Sequence, residues 1–126
     1  MASLKIGHVY VVHTTLTKPH PKDKITICVS VADNLFVWFT SKPARHGHGQ
    51  VPCAKGDHEA LSRDCFLDLS RVTRFSPAEL ETTQHRGPIS DGLRDRILQA
   101  LEHGVKTLPP KHARIIQQAL STPLGS

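Results

Sequence analysis

The sequence predicts a mainly β fold, a small antiparallel barrel or sheet with a helical tail. Residues 1–75 contain short runs of β-branched and aromatic residues joined by tight or polar connections. From residue 76 onward the apolar residues recur at helical spacing instead. Strands and helices do not alternate along the chain, which argues against a parallel sheet. The 126 residues are therefore expected to form one domain, with β structure over 1–75 and a helical segment over 76–126 packed on it.

The first half of the chain supplies the predicted strands. The earliest is GHVYVVHTTL (7–16), which is rich in β-branched residues and is followed by a polar loop with two prolines. ITICVSV (25–31) is a short apolar run typical of a buried strand. A tight Asp-Asn connection joins it to LFVWFTS (35–41), so these two runs should form a hairpin. CFLDLSRVTRF (65–75) alternates apolar and polar residues and predicts another strand, whereas residues 51–64 fit no single pattern.

The second half predicts three helices. Ser76 precedes a proline and is followed three positions later by Glu79, a capping box that begins a short helix near 77–84. A second helix is expected over 91–103, and the sequence LPP begins a last helix near 110–120. The last helix carries an apolar stripe expected to pack on the β structure, formed by Ile115, Ile116, Ala119 and Leu120.

Charge is distributed unevenly along the chain, whose net charge is +5. Residues 1–56 hold seven Lys and Arg against two acidic residues, together with five of the nine histidines. Residues 57–126 hold nine basic and nine acidic residues. A basic, histidine-rich half joined to a neutral half indicates a surface that faces a polyanion. Ordinary solubility charge is the open alternative.

Hydropathy and cysteine usage predict a cytoplasmic protein. No apolar run approaches the 18 residues of a membrane span, and the N-terminal residues lack the apolar stretch of a signal peptide. The three cysteines are odd in number and not closely paired along the sequence. Cys28 and Cys65 lie within apolar runs and are expected to be buried free thiols in a reducing compartment.

Familiar signatures of enzymes and metal sites are absent from the sequence. There is no phosphate-binding glycine loop, no HExxH and no GxSxG. The residues available for zinc are spaced too loosely to match a compact site: His46, His48, Cys53, His58 and Cys65. We therefore predict no metal and no cofactor.

A basic site at the strand ends is the remaining candidate. Lys22 and Lys24 directly precede the strand at 25–31, and Thr40 and Ser41 end its hairpin partner. The start of one antiparallel strand lies beside the end of the next, so Lys24 and Thr40 should be neighbours. Cleavage of RNA by its own 2′-hydroxyl needs a base, a cation near the phosphate and an acid, and Lys, Arg, His, Ser and Thr can supply these without a metal.

Four short motifs, in order over residues 7–75, resemble those of the MazF/PemK-like toxins, small cytoplasmic endoribonucleases of toxin–antitoxin pairs. They are GHVYVV, KDKITICVS, FVWFTSK and FLDLSRVTRF. The resemblance places Lys24 where that family has an arginine, and Thr40 and Ser41 at the family's Thr-Thr or Thr-Ser pair. Two departures are Lys24 itself and His8, which stands where the family has an acidic residue.

The resemblance implies an SH3-like barrel with a C-terminal helix, usually dimeric, whose cleft takes single-stranded RNA and which an antitoxin silences. On this interpretation Lys24 and Thr40 are catalytic, and His46 or His48 transfers protons. The residues expected to contact RNA are Lys22, Ser41, Lys42 and Arg45. The alternative, which the loss of the arginine leaves open, is a non-catalytic SH3-like module that binds nucleic acid or a protein partner.

Overall fold

The computed structural model describes residues 4–14, 22–42, 49–106 and 108–121. Across these residues the chain forms a six-stranded antiparallel sheet and three helices, which confirms the predicted mainly β class with C-terminal helices. The sheet order is β4-β5-β3-β2-β1-β6, and the sheet is not closed into a barrel. The elements in chain order are β1 His8–Thr14, β2 Lys22–Ser30, β3 Leu35–Thr40, β4 Gln50–Cys53, β5 Cys65–Thr73, α1 Pro77–Glu81, β6 Gln84–Pro88, α2 Asp91–His103 and α3 Pro110–Ser121.

The predicted hairpin is confirmed as the pairing of β2 with β3. Thr26 lies opposite Trp38 and Ile27 opposite Val37 in an antiparallel register. The turn between the strands holds Asn34 at a φ of 54°, a left-handed conformation that asparagine tolerates better than most residues. The Asp-Asn sequence therefore sets the place at which the chain reverses.

The two faces of the sheet bury separate cores. One face packs against α2 and α3, and its fully buried residues include Ile27, Val37, Leu67, Leu93, Ile97, Ile116 and Leu120. The other face packs against α1 and the chain next to it, and its core is Tyr10, Val12, Cys28, Phe36, Phe75 and Leu80. Strand residues alternate between the two cores because successive side chains in a strand point to opposite faces.

The helices follow the predicted positions, with one difference. Ser76 Oγ accepts a hydrogen bond from Glu79 N at 3.2 Å, and a Glu79 carboxylate oxygen accepts one from Ser76 N at 3.0 Å, so the capping box forms. However, α1 ends at Glu81, and residues 84–88, expected to end the helix and link it to the next, form edge strand β6. The sequence QHRGP has no apolar alternation, so only its pairing with β1 makes it a strand.

Two histidines lie between β1 and β6. His8 Nδ1 is 2.7 Å from His85 Nε2, and the two rings stack with their centroids 4.9 Å apart. The hydrogen bond requires one of the two nitrogens to be unprotonated. Burial lowers the pKa of His8, and the nearby charges of His85 and Lys5 lower it further. Protonation of His8 is therefore less favourable in the folded protein than in the unfolded chain.

The apolar stripe of α3 should be essential for stability. Ile116 is fully buried against the face of the sheet that packs against α2 and α3, whereas Gln118 on the same helix is exposed. Ile116→Ala leaves a cavity and should lower the free energy of unfolding by about 2–5 kcal/mol. The control Gln118→Ala should change it by less than about 0.5 kcal/mol. Urea denaturation monitored by circular dichroism measures both values, and equal effects would show that the stripe does not pack as described.

Acidification should destabilise the fold through the His8–His85 pair. Because the pKa of His8 is lowered on folding, the unfolded chain binds more protons than the folded one below the ordinary value of 6.5. This contribution to the free energy of unfolding is thus present above that value and is lost as the pH falls through the lowered pKa. Between about pH 7.5 and about pH 5, the Tm of the parent should fall further than that of His8→Asn. Parallel declines in the two proteins would contradict this account.

Candidate functional site

An open cleft lies at the end of the sheet where β2 begins, β3 ends and β5 begins. Its volume is about 260 Å³. Its apolar lining residues include Ile25, Phe39 and Leu61. Its polar lining residues are Asp23, Lys24, Thr40, Ser41, Ser62 and Arg63. The lining therefore includes two basic residues, three residues with hydroxyl groups and one acidic residue, together with apolar side chains.

The predicted neighbours Lys24 and Thr40 both line this cleft, and Ser41 lines it with them. The register that sets Thr26 opposite Trp38, continued by two residues, sets Lys24 opposite Thr40. Thr40 Oγ1 donates a hydrogen bond of 3.2 Å to the carbonyl oxygen of Lys42. Lys42 itself is exposed just beyond the strand.

The other predicted site residues are placed less completely. Lys22 is the first residue of β2 and lies opposite Thr14 of β1, at the end of the sheet that holds the cleft. Arg45, His46 and His48 lie outside the described residues. The predicted histidine contribution to the cleft therefore stays a prediction.

Lys24 also belongs to a second surface, on the sheet face that carries α1. Its ammonium nitrogen lies 5.2 Å from the ring centroid of Trp38, and the guanidinium carbon of Arg71 lies 5.4 Å from the same centroid. We call Lys24, Trp38 and Arg71 the Trp38 platform. Both distances are within the range of cation–π attraction, so the indole holds both charged groups in place. Basic residues beside a half-buried aromatic ring are typical of surfaces that bind single-stranded nucleic acid.

Arg63 is a cleft residue that the sequence did not reveal. It lies in the segment 51–64, which fits no sequence pattern, two residues before β5 begins. The pairing of β5 with β3 brings this segment to the cleft. Arg63 is exposed and forms no hydrogen bond or ion pair with any other described residue, so its guanidinium is available to a ligand. The one signal in the sequence is that Arg63 lies close before a predicted strand.

One histidine contacts a residue that lines the cleft. His13 of β1 lies opposite Asp23 of β2, and its Nδ1 is 2.8 Å from a carboxylate oxygen of Asp23. Asp23 in turn lines the cleft. A carboxylate bonded to one ring nitrogen fixes the ring orientation and leaves the other nitrogen for proton transfer. Because this contact depends on the β1–β2 register, sequence spacing did not reveal it.

The histidine and cysteine side chains that the structure describes do not assemble a metal site. Within the described ranges, no group of three or more His, Cys, Asp and Glu is arranged to hold a metal ion. His58 is buried, and its Nδ1 accepts a hydrogen bond of 2.9 Å from Ala60 N. That bond makes His58 part of the local structure of its loop.

Among the helices described, none has the length and apolar character that crossing a bilayer requires.

Two comparisons, with protein-family models and with curated protein sequences, identify no relative. No protein-family model matches the chain, and no curated protein sequence matches it either. The cleft and the Trp38 platform are therefore the features that indicate what the protein binds.

Trp38 should report ligand binding, because it is the single tryptophan of the chain. Adding a single-stranded 2′-deoxy oligonucleotide should change the fluorescence of Trp38, because the phosphate backbone of the oligonucleotide displaces or reorients Lys24 and Arg71. The affinity should fall with salt, each phosphate contact contributing about −0.7 to the log–log slope. Arg71→Ala should make that slope shallower by about 0.7. Arg114→Ala on the distant helix α3 is the matched control and should leave it unchanged, while binding indifferent to salt would contradict a phosphate-contacting surface.

Proposed function

We propose that this protein is a metal-independent endoribonuclease that cleaves single-stranded RNA, acting in the cytoplasm as the toxin of a toxin–antitoxin pair. One observation supports this most directly: Lys24, Thr40 and Arg63 come from three separate segments and line the same open cleft. Two cations and a hydroxyl are the groups that bind a phosphodiester and stabilise the charge that develops on it. The Trp38 platform adds a basic and aromatic surface along which the strand can continue.

The proposed reaction uses the RNA itself as the nucleophile. The 2′-oxygen attacks the adjacent phosphorus, and a bond forms between them while the bond from phosphorus to the 5′-oxygen breaks. A base takes the proton of the 2′-hydroxyl, and an acid protonates the departing 5′-oxygen. The products are a 2′,3′-cyclic phosphate and a 5′-hydroxyl, and no metal or external oxidant takes part.

Arg63 supplies the guanidinium that the position of Lys24 lacks. A guanidinium can donate two parallel hydrogen bonds to two phosphate oxygens, whereas an ammonium acts as a point charge. We assign the phosphate grip to Arg63 and a supporting charge to Lys24. Thr40 adds a hydroxyl whose exposed 3.2 Å bond to the carbonyl of Lys42 can be exchanged for a phosphate oxygen at little cost.

For proton transfer the described residues offer His13, whose ring is bonded to Asp23, a residue that lines the cleft. An imidazole can accept a proton in one step and return it in the next. His46 and His48 stay as further candidates from the sequence.

The partners belong to the same proposal. A cytoplasmic RNase has to be silenced in the cell that makes it, and a basic cleft suits an antitoxin segment that carries carboxylates. The resemblance to the MazF/PemK-like toxins further suggests a homodimer. Light scattering of the purified protein determines whether it is a homodimer.

A second function has its own support. The ammonium of Lys24 is held over Trp38. This position suits contact with a bound strand better than stabilisation of the charge on one reacting phosphate. On this alternative the protein binds single-stranded nucleic acid without cutting it.

Cleavage of a mixed single-stranded RNA, with and without chelator, tests the proposal. The parent should produce 2′,3′-cyclic phosphate ends equally in both conditions. Arg63→Ala, Lys24→Ala and Thr40→Val should each lower the rate by roughly 100-fold, the effect of losing one electrostatic donor. Lys24→Arg should retain or raise the rate, because a guanidinium can grip two oxygens.

Lys111→Ala and Arg114→Ala are the matched controls, because both residues are exposed on α3, away from the cleft. Both variants should cleave like the parent. If Arg63→Ala, Lys24→Ala and Thr40→Val were all as active as the parent, the cleft would not be the active site. A parent that binds the 2′-deoxy oligonucleotide but cleaves no RNA would establish the binding module instead.

A further inference from the structure

Two of the three cysteines lie directly opposite each other in the sheet. Cys53 of β4 pairs with Cys65 of β5, and the next pairs along the strands are Pro52 with Phe66 and Val51 with Leu67. Opposite residues in antiparallel strands have Cα atoms about 4.5–5.5 Å apart, within the range of about 4.4–6.8 Å that a disulfide spans. Their side chains also share one face of the sheet. The backbone spacing of this pair is therefore compatible with a disulfide.

The surroundings separate this pair from the third cysteine. Cys53 is buried with 4% of its surface exposed, and Cys65 is partly buried and lines the cleft. Both pack with the core between the sheet and helices α2 and α3, whereas Cys28 lies in the core on the opposite face. All three are free thiols. An oxidant that enters the cleft therefore meets Cys65 first, with Cys53 behind it.

We infer that Cys53 and Cys65 are a redox modification site, which a peroxide converts reversibly to a cross-strand disulfide beside the cleft. The sulfur of Cys65 attacks the peroxide, becomes a sulfenic acid and releases one water. The sulfur of Cys53 then attacks that sulfur, the S–S bond forms and a second water leaves. The two thiols lose two electrons and two protons in total, and the peroxide is reduced. A dithiol reductant reverses the change.

The reaction should be slow at neutral pH. Burial raises the pKa of Cys53 to about 11 and also raises the pKa of Cys65, so both thiols are mostly protonated. Cys53 Sγ also donates a hydrogen bond of 3.4 Å to the carbonyl oxygen of Val51, which must break before the disulfide forms. The pair should therefore stay reduced under ordinary conditions and oxidise on sustained exposure, faster as the pH rises.

The disulfide would close a loop that contains part of the cleft. Residues 54–64 lie between the two cysteines, and Arg63 is among them. Closing a loop of this length restricts the unfolded chain and ties edge strand β4 to its neighbour. Oxidation should therefore raise the Tm, by about 10 °C for a chain of this size.

The test uses the full chain treated with hydrogen peroxide and needs no RNA, so it is independent of the proposed function. Thiol titration in denaturant should fall from the three thiols of the sequence to one. Peptide mapping without reductant should show Cys53 joined to Cys65, with the loss of two hydrogens in mass. The rise in Tm and the loss of thiols should both reverse with dithiothreitol.

The third cysteine supplies the matched control. Cys28→Ala should still form the disulfide, whereas Cys53→Ser and Cys65→Ser should not, and their Tm should not rise on oxidation. The parent alone already decides the question if a variant fails to fold. Retention of all three thiols, a link to Cys28, or bonds only between chains would each overturn the inference.

Discussion

The antiparallel pairing of β2 with β3 is the constraint on which the rest of the structure depends. The hairpin lies in the middle of the sheet, with β1 on one side and β5 on the other. Its register directs Ile27 and Val37 to the core under α2 and α3, and directs Cys28 and Phe36 to the core under α1. A slip of one residue would exchange the two sets of side chains, so burial on both faces holds the register in place.

The same register creates the candidate site. Because β2 starts where β3 ends, the polar residues that flank the two apolar runs meet at one end of the sheet. Because successive side chains in a strand point to opposite faces, these polar residues are divided between two surfaces. Lys24 joins the cleft to the Trp38 platform, where its ammonium is held on the opposite face from Ile25 and Phe39. A bound strand that contacted both surfaces would pass around the end of the hairpin.

The parts of the site differ in how far the sequence could predict them. The meeting of Lys24 with Thr40 follows from two strands that are neighbours in the chain and are joined by a tight turn. The position of Arg63 in the cleft depends on the pairing of β3 with β5, two strands that are separated along the chain by β4 and a loop. Cys53 and Cys65, which are not closely paired along the sequence, become opposite residues through the register of β4 with β5. Each of these contacts depends on a pairing whose partner is not marked by any local pattern.

The sequence by itself determined the mainly β class, the hairpin and the positions of the three helices. These features depend on local chemistry: β-branched runs, an Asp-Asn turn, serine caps and helical apolar spacing. The tertiary structure alone decided that QHRGP becomes strand β6, that His13 bonds Asp23, and that the ammonium of Lys24 lies over Trp38. The physical reason is that the strand pairing and side-chain direction of these residues are set by partners distant in the chain, whose packing outweighs weak local preference.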